Sequence, residues 1–261
     1  MIDNASHATR PCVLVFAGLD PSAGAGLVAD AQAIAAQGAH ALTVCTALTV
    51  QDNDRVYGVQ PVDAELVLRQ AGALTAKVAV SAVKIGIPGS AANARAIAQV
   101  IQDLRRAWPQ LPVVLDPVLA SGHGDVLTPG DAVAALAPLL PLVTVLTPNS
   151  LEARLLTGAD TAAAQAAILR QHGCQYVLVT GGHDPGVELI NHGMGEATSA
   201  WRWPRLADAF HGSGCTLAAA IAGQLALAVP LVAALEHAQH YCYGALRAAY
   251  AIAPGQHIPL R

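Results

Sequence analysis

The segment Asp208-Ala-Phe-His211-Gly212-Ser213-Gly214-Cys215-Thr216 gathers a carboxylate, an imidazole and a thiol around a Gly-x-Gly turn, and a run of helix formers, Leu217 to Ala222, follows at once. Two glycines permit a sharp turn that bares backbone amides, and the N-terminus of the helix beyond aims further N–H donors at the same point. Holding an anion is the chemistry such a place offers. The dipoles and amides that favour an oxyanion also favour a thiolate, so a thiol set there is expected to ionise more easily than a free cysteine. Cys215 is therefore a candidate base, with the Gly212, Ser213 and Gly214 amides beside it and His211 as a candidate proton carrier. The competing reading of Cys215 is a small buried hydrophobe at a glycine turn.

Oxygen-bearing side chains supply the second set of signals. Asp116-Pro117-Val118 ends one apolar run, and Asn149-Ser150-Leu151-Glu152 begins a helical stretch. The three-residue step puts Asn149 and Glu152 on one helix face, where together with Asp116 they would hold the water shell of Mg²⁺. The same pair equally completes a capping box. Gln51 carries both an amide donor and an acceptor, which suits the edge of a heteroaromatic ring, or else it is a surface loop residue. The loop Gly18-Leu-Asp20-Pro-Ser22-Ala-Gly24-Ala-Gly26 has no lysine and so is not a Walker-type phosphate loop. It begins a dinucleotide fingerprint too far past its strand. What it offers is close backbone approach to a flat ligand, with Asp30 beyond it either accepting from a ligand amine or solvated on its helix.

These residues need a frame. Short β-rich runs (Val13–Ala17, Ala41–Ala47, Ala82–Ile85, Val113–Asp116, Val143–Leu146, Tyr176–Thr180) alternate with Ala-rich helical stretches (Gly24–Gln37, Asp63–Ala76, Ser90–Ala107, Pro129–Leu139, Thr161–His172). Such alternation predicts a mostly parallel sheet covered by helices on both faces. After Thr180, Val187–Ile190 and Thr198–Trp203 read as an antiparallel edge hairpin, and two helices close the chain. Asp20, Gln51, Asp116 and Asn149 each follow a strand, the end at which open parallel sheets bind ligands. One domain over 11–261, preceded by a flexible segment 1–10, is expected.

Composition excludes several classes. Only 12% of residues are charged, the formal net charge is −4, and Lys77 and Lys84 are the two lysines, so no basic stripe awaits nucleic acid. Any phosphate must be held mainly by amides, a metal ion and a few arginines. Five scattered cysteines without a C-x-x-C pair argue against a disulfide framework or zinc site and point to a reducing cytoplasm. Thr216–Leu235 is apolar, but Gln224 and Pro230 interrupt it, so a buried helix is expected rather than a membrane span. The 54% hydrophobic content points to close-packed helices and to association of identical copies.

Taken together, these motifs resemble the ribokinase-like superfamily, a three-layer α/β/α fold, and within it the hydroxymethylpyrimidine/phosphomethylpyrimidine kinases of thiamine biosynthesis. The resemblance runs end to end. It is carried by Ala17-Gly18-Leu-Asp20-Pro-Ser-Ala-Gly24-Ala-Gly26-Leu-Val-Ala-Asp30, Ala47-Leu-Thr-Val-Gln51, Val83-Lys84-Ile-Gly86, Val114-Leu-Asp116-Pro-Val118, Thr147-Pro-Asn149 through Glu152, Gly181-Gly182-His183 and His211-Gly-Ser-Gly-Cys215-Thr216. It implies that Gln51 and Asp30 grip the pyrimidine ring nitrogen and amino group, while Gly18, Ile87 and Val118 line the pocket. Cys215 would take the catalytic place, and Thr180, Gly182 and His211 would face the nucleotide. ATP with Mg²⁺ would phosphorylate the aminopyrimidine and then its monophosphate, in a homodimer. Two positions depart from the family. Thr180 stands where a lysine often reaches the phosphates, and Gly122-His123 stand where Lys-Ser is common, so that either phosphate affinity is lower or His183, His123 and the metal compensate. Pyridoxal kinase activity on the same fold and a non-catalytic nucleotide sensor are the alternatives.

Overall fold

A computed structural model describes residues 9–261 apart from 122, 126, 128, 129 and 185. The expected flexible segment 1–10 thus lies outside the described residues up to position 8, as do Gly122 of the departing loop and Pro129, the expected start of a helix. In chain order the elements are β1 (Cys12–Leu19), α1 (Gly26–Ala36), β2 (His40–Gln51), β3 (Val56–Pro61), α2 (Ala64–Thr75), β4 (Val80–Ile85), α3 (Ala91–Ala107), β5 (Val113–Leu115), α4 (Ala132–Leu136), β6 (Val145–Leu146), α5 (Ser150–Thr157), α6 (Ala162–Gln171), β7 (Tyr176–Val179), β8 (Glu188–Met194), β9 (Thr198–Pro204), α7 (Ser213–Ala226) and α8 (Leu231–Arg247).

One nine-stranded sheet runs β3-β2-β1-β4-β5-β6-β7-β8-β9. Its six central strands are parallel, and β3, β8 and β9 pair antiparallel at the two edges. The pleat of β1 explains the layers. Leu14 and Phe16 point into one core with residues of α2, α3 and α6, whereas Val13, Val15 and Ala17 point into the other with α1, α7 and α8. This is the ribokinase-like architecture, three layers with an antiparallel margin.

Most helices begin on a side-chain cap. Asp63 accepts from Glu65 and Leu66, Ser90 from Asn93, and Thr161 from Ala164. α7 is different. Its preceding residue, Gly212, sits at φ 76° and provides no side chain, so the first-turn amides start the helix uncapped. The helix also starts earlier than its helix formers suggest, so Ser213-Gly214-Cys215 are its first turn and not a loop before it.

Two expectations change. The helix predicted over 129–139 is α4, five residues long, followed by a 3-10 turn at Leu140–Leu142. Pro138, two residues past the end of α4, lacks the amide hydrogen a continuing helix needs. β3 was not expected, because Val56–Pro61 contains Gly58 and ends on Pro61 and buries none of its residues. It forms by pairing with the outer half of β2. Among the described residues no helix is long and apolar enough to cross a membrane. The apolar stretch 216–235 divides into α7 and α8 around Pro230.

Candidate active site

The carboxyl ends of the parallel strands open into a cavity of about 560 Å³. Ser213, Gly214 and Cys215 line it, and no internal partner is recorded for their amides among the described residues; Thr216 is the first whose amide turns back, to Gly212 O at 2.9 Å. A helix start built this way carries roughly half a positive charge and directed donors. Directly opposite stands Asp116, which follows β5. A Cβ placed on Gly214 would lie 3.4 Å from Asp116 Oδ2, so the carboxylate stands within van der Waals reach of the helix start.

Asp116, Asn149 and Glu152 do meet at this wall, but not as three free ligands. Asn149 Oδ1 accepts from the Glu152 amide at 2.9 Å, and Glu152 Oε2 accepts from the Asn149 amide at 3.0 Å. Glu152 Oε1 accepts from Leu119 N at 3.4 Å. The capping box takes one lone pair of the Asn149 oxygen, which leaves its second lone pair and the amide NH₂ for water, phosphate or a hydrated cation. Among the described residues no three His, Cys, Asp or Glu side chains could enclose a metal ion. Asp116 Oδ2, however, is buried without a hydrogen-bond partner. Burial pushes both the Asp116 and Glu152 carboxyls upward, and the negative charge of Asp116 adds to the rise at Glu152. An orphaned oxygen beside a second strained carboxylate fits a hydrated divalent cation.

Beneath this wall lies an ion pair for which no role was assigned from the sequence. Lys84 of β4 donates to Asp30 of α1 at 2.8 Å, both side chains fully buried. Asp30 is consequently not the grip on a ligand amine, nor a solvated helix residue: it is the counter-ion of Lys84, held away from the cavity that Lys84 reaches. Burial drives Asp30 upward against the pull of Lys84, while the same carboxylate holds the ammonium firmly protonated. The 2.8 Å contact is that of the ionised pair. A lysine inside the apolar strand Val80–Ile85 was the sequence signal, since a buried ammonium requires a partner.

Cys215 is half-buried and faces the cavity, yet the expectation of an easily ionised thiol is overturned. Burial pushes it up to about 12; Lys84 pulls it down, but Asp30 and Asp116 push it further up. The sequence argument counted the helix dipole and could not see two carboxylates arriving from other elements. In the free protein Cys215 is a neutral thiol.

Gln51 also lines the cavity. Thr49 donates its hydroxyl proton to Leu19 O at 2.8 Å, so it must accept from Gln51, whose Nε2 lies 2.7 Å away. That fixes the amide of Gln51, leaving Oε1 and one N–H for a ligand edge. Gly18 lies close under Ile87: a Cβ there would meet Ile87 Cδ1 at 2.7 Å. Gly18, Ile87 and Val118 all line the cavity.

His211 is turned to a task of its own. Its Nε2 lies 2.8 Å from Asp20 Oδ2, and Asp20 also accepts from Ser22 N, Ser22 Oγ and Ala25 N. Asp20 is 2% exposed, and its pKa stays low because these hydrogen bonds outweigh a burial that alone would raise it. On the remaining side, Thr180 and Gly182 line the cavity, with Thr180 locked by backbone bonds to Pro148 and Ser150. Arg205, absent from the sequence reading, donates to Gly186 O at 2.8 Å and Gly182 O at 2.9 Å and so shapes that loop. His183 faces the cavity. His123 instead lies against Asp54, with Nδ1 3.0 Å from Asp54 O.

Comparison with known proteins places this geometry in context. Residues 20–261 match the family model for phosphomethylpyrimidine kinase. The chain is 40% identical over 254 residues to the hydroxymethylpyrimidine/phosphomethylpyrimidine kinase of Rhizobium meliloti, covering 93% of each. It superposes on an ADP complex of Bacillus subtilis pyridoxal kinase with a TM-score of 0.85, 28% identity and 96% and 97% coverage of the two chains. A phosphomethylpyrimidine kinase from Clostridium difficile gives 0.76 at 28% identity, over 89% of this chain and 98% of that one.

Proposed function

The chain belongs to the phosphomethylpyrimidine kinase family, and from that membership we propose how its cavity works as the hydroxymethylpyrimidine/phosphomethylpyrimidine kinase of thiamine biosynthesis. The enzyme is a phosphotransferase. ATP phosphorylates 4-amino-5-hydroxymethyl-2-methylpyrimidine, and the monophosphate returns as acceptor to leave as the pyrophosphate.

The observation that carries the site assignment is the uncapped start of α7 facing Asp116 in a cavity that Gln51 also lines. Gln51 Oε1 accepts from the exocyclic amine and its free N–H donates to a ring nitrogen, with Gly18, Ile87 and Val118 packed on the ring. The Gly212–Cys215 turn receives the γ-phosphoryl group, whose negative oxygens meet the Ser213, Gly214 and Cys215 amides. Thr180, Gly182 and the Arg205-shaped loop flank the nucleotide, and His211 keeps the Gly24 loop in place beside it. Mg²⁺, near Asp116 and Glu152 through water, would neutralise phosphate charge. Cys215 would act as the thiolate, its own proton having passed to water in the cavity, and in that form it accepts the hydroxyl proton, with Lys84 favouring the charge.

Two copies associate through the bare face of Leu19, Leu48 and Val50, which are 37%, 50% and 66% exposed on adjacent strands. Charged substitutions at Leu48 and Val50 together would turn a dimeric mass into a monomeric one. Five free thiols suit a reducing cytoplasm.

Pyridoxal kinase activity is the second reading, favoured by the higher TM-score to the Bacillus subtilis enzyme. A phosphate-transfer assay offering the aminopyrimidine, its monophosphate and pyridoxal side by side decides between them. Preferred transfer to the two pyrimidines is expected, and transfer to pyridoxal alone would reverse the assignment.

A further inference from the structure

Two glycine-rich segments far apart in sequence touch beside the cavity. Gly212, at φ 76°, comes so close to the first loop that a Cβ on it would lie 2.1 Å from Gly24 O. Between them sits Arg261. Its Nε donates to Thr216 Oγ1 at 2.8 Å, and its Nη2 donates to Gly24 O at 2.6 Å and to Gly212 O at 3.4 Å. Thr216 Oγ1 in turn donates to Gly212 O at 2.8 Å. The strand-like segment that delivers Arg261 is itself tied to the site, because His211 N donates to His257 O and His257 N to Ala209 O.

This arrangement has a clear physical meaning. Two carbonyl dipoles, from Gly24 and Gly212, point at one nitrogen; without a cation there they would repel and the segments would part. A guanidinium suits the place because its planar fork reaches three acceptors at once, which a single ammonium on a flexible stem does not do. Its positive charge also lies behind the first turn of α7, adding to the field that the free amides present to an anion. The Gly24 segment belongs to the loop under the aromatic subsite, and Gly212 opens the phosphoryl turn. Arg261 therefore joins the part that holds the acceptor to the part that holds the migrating phosphoryl group.

Resting on the kinase assignment, we propose that Arg261 is a positioning residue for phosphoryl transfer, a clamp that fixes the substrate loop against the α7 start. It touches neither reactant. In-line transfer depends on near-attack distances, and a displacement of about 1 Å is enough to lower turnover on the order of 100-fold.

The test uses the full chain with Arg261→Ala and, because truncation leaves a hole, Arg261→Gln as a second variant of similar length. In both, kcat is expected to fall on the order of 100-fold while KM for ATP and for the aminopyrimidine stays within about threefold. Arg261→Lys recovers little. Millimolar guanidinium ion is expected to raise kcat of Arg261→Ala at least about tenfold and to leave the wild type unchanged, a response that a merely structural loss would not show. Amide hydrogen exchange at residues 211 and 216, whose N–H groups bond His257 O and Gly212 O, is expected to quicken in both variants, a readout independent of any substrate. Unaltered exchange there, or kcat within threefold of wild type, or a loss that guanidinium does not relieve, overturns the clamp. A wild-type chain that transfers no phosphate to any offered acceptor overturns the kinase assignment instead, and the exchange measurement still decides the clamp.

Discussion

The loop from Asp20 to Gly26 directs its polar groups inward, whereas the turn from His211 to Cys215 keeps donors free. In the first, one carboxylate collects two backbone amides, a hydroxyl and an imidazole, and almost nothing of it is exposed. In the second, three consecutive amides open a helix with no side-chain cap, facing a buried carboxylate oxygen that also lacks a partner. Both are rich in glycine and both follow the ends of strands or their connections. The difference teaches that glycine content marks close approach, while unsatisfied hydrogen-bonding capacity marks chemistry. A buried group without a partner costs about 1–3 kcal/mol, and it persists where a ligand completes it.

Substitutions can break that contrast. The largest effect is expected from Cys215→Ala on the unsatisfied side. Its kcat should fall on the order of 10²- to 10⁴-fold with KM nearly unchanged, measured by steady-state kinetics, and near-normal turnover would remove Cys215 as the base. Asp116→Asn keeps the shape but removes the charge. Turnover should drop on the order of 10²- to 10³-fold and the half-saturating Mg²⁺ concentration should rise in a metal titration.

On the satisfied side the damage should appear in folding instead. Asp20→Ala strands four donors and is expected to cost about 2–4 kcal/mol in urea unfolding, with a smaller change in kcat than either substitution above. The sign of its pH dependence follows from a carboxyl held low in the folded chain. Its stabilisation is whole above the unfolded value of about 4 and disappears as pH falls through the folded value. Wild-type stability should therefore fall more steeply than that of Asp20→Ala as pH is lowered below about 4. The smallest effect is reserved for Thr180→Lys, which restores a family cation beside Gly182: KM for ATP should fall about two- to fivefold at low salt, and no change would mean that the Arg205-shaped loop already suffices.

Much of the frame was legible because apolar runs of four to six residues alternate with Ala-rich stretches, and β1, β4 and β7 lie where that alternation places them. β3 escaped because an exposed edge strand with Gly58 and Pro61 has no hydrophobic rhythm. The wall of the site was legible as motifs, yet the role of each oxygen was not. Asn149 and Glu152 satisfy each other across three residues, a local fact that their spacing already allowed. Asp30 and Lys84 lie 54 positions apart, and only the juxtaposition of α1 with β4 shows that they are paired. The same long-range placement reversed the expected acidity of Cys215. Arg261 carries no motif at all; its contacts to Gly24 and Thr216 arise from the way the last segment runs beside residues 209–211.

A thiol pushed up to about 12 also has a bearing on durability. Burial keeps the proton on the sulfur, and it is the ionised form that attacks peroxides and disulfides. The base is thus kept protonated in the idle enzyme, so that an open cavity with sulfur in its wall is expected to resist oxidative inactivation between turnovers.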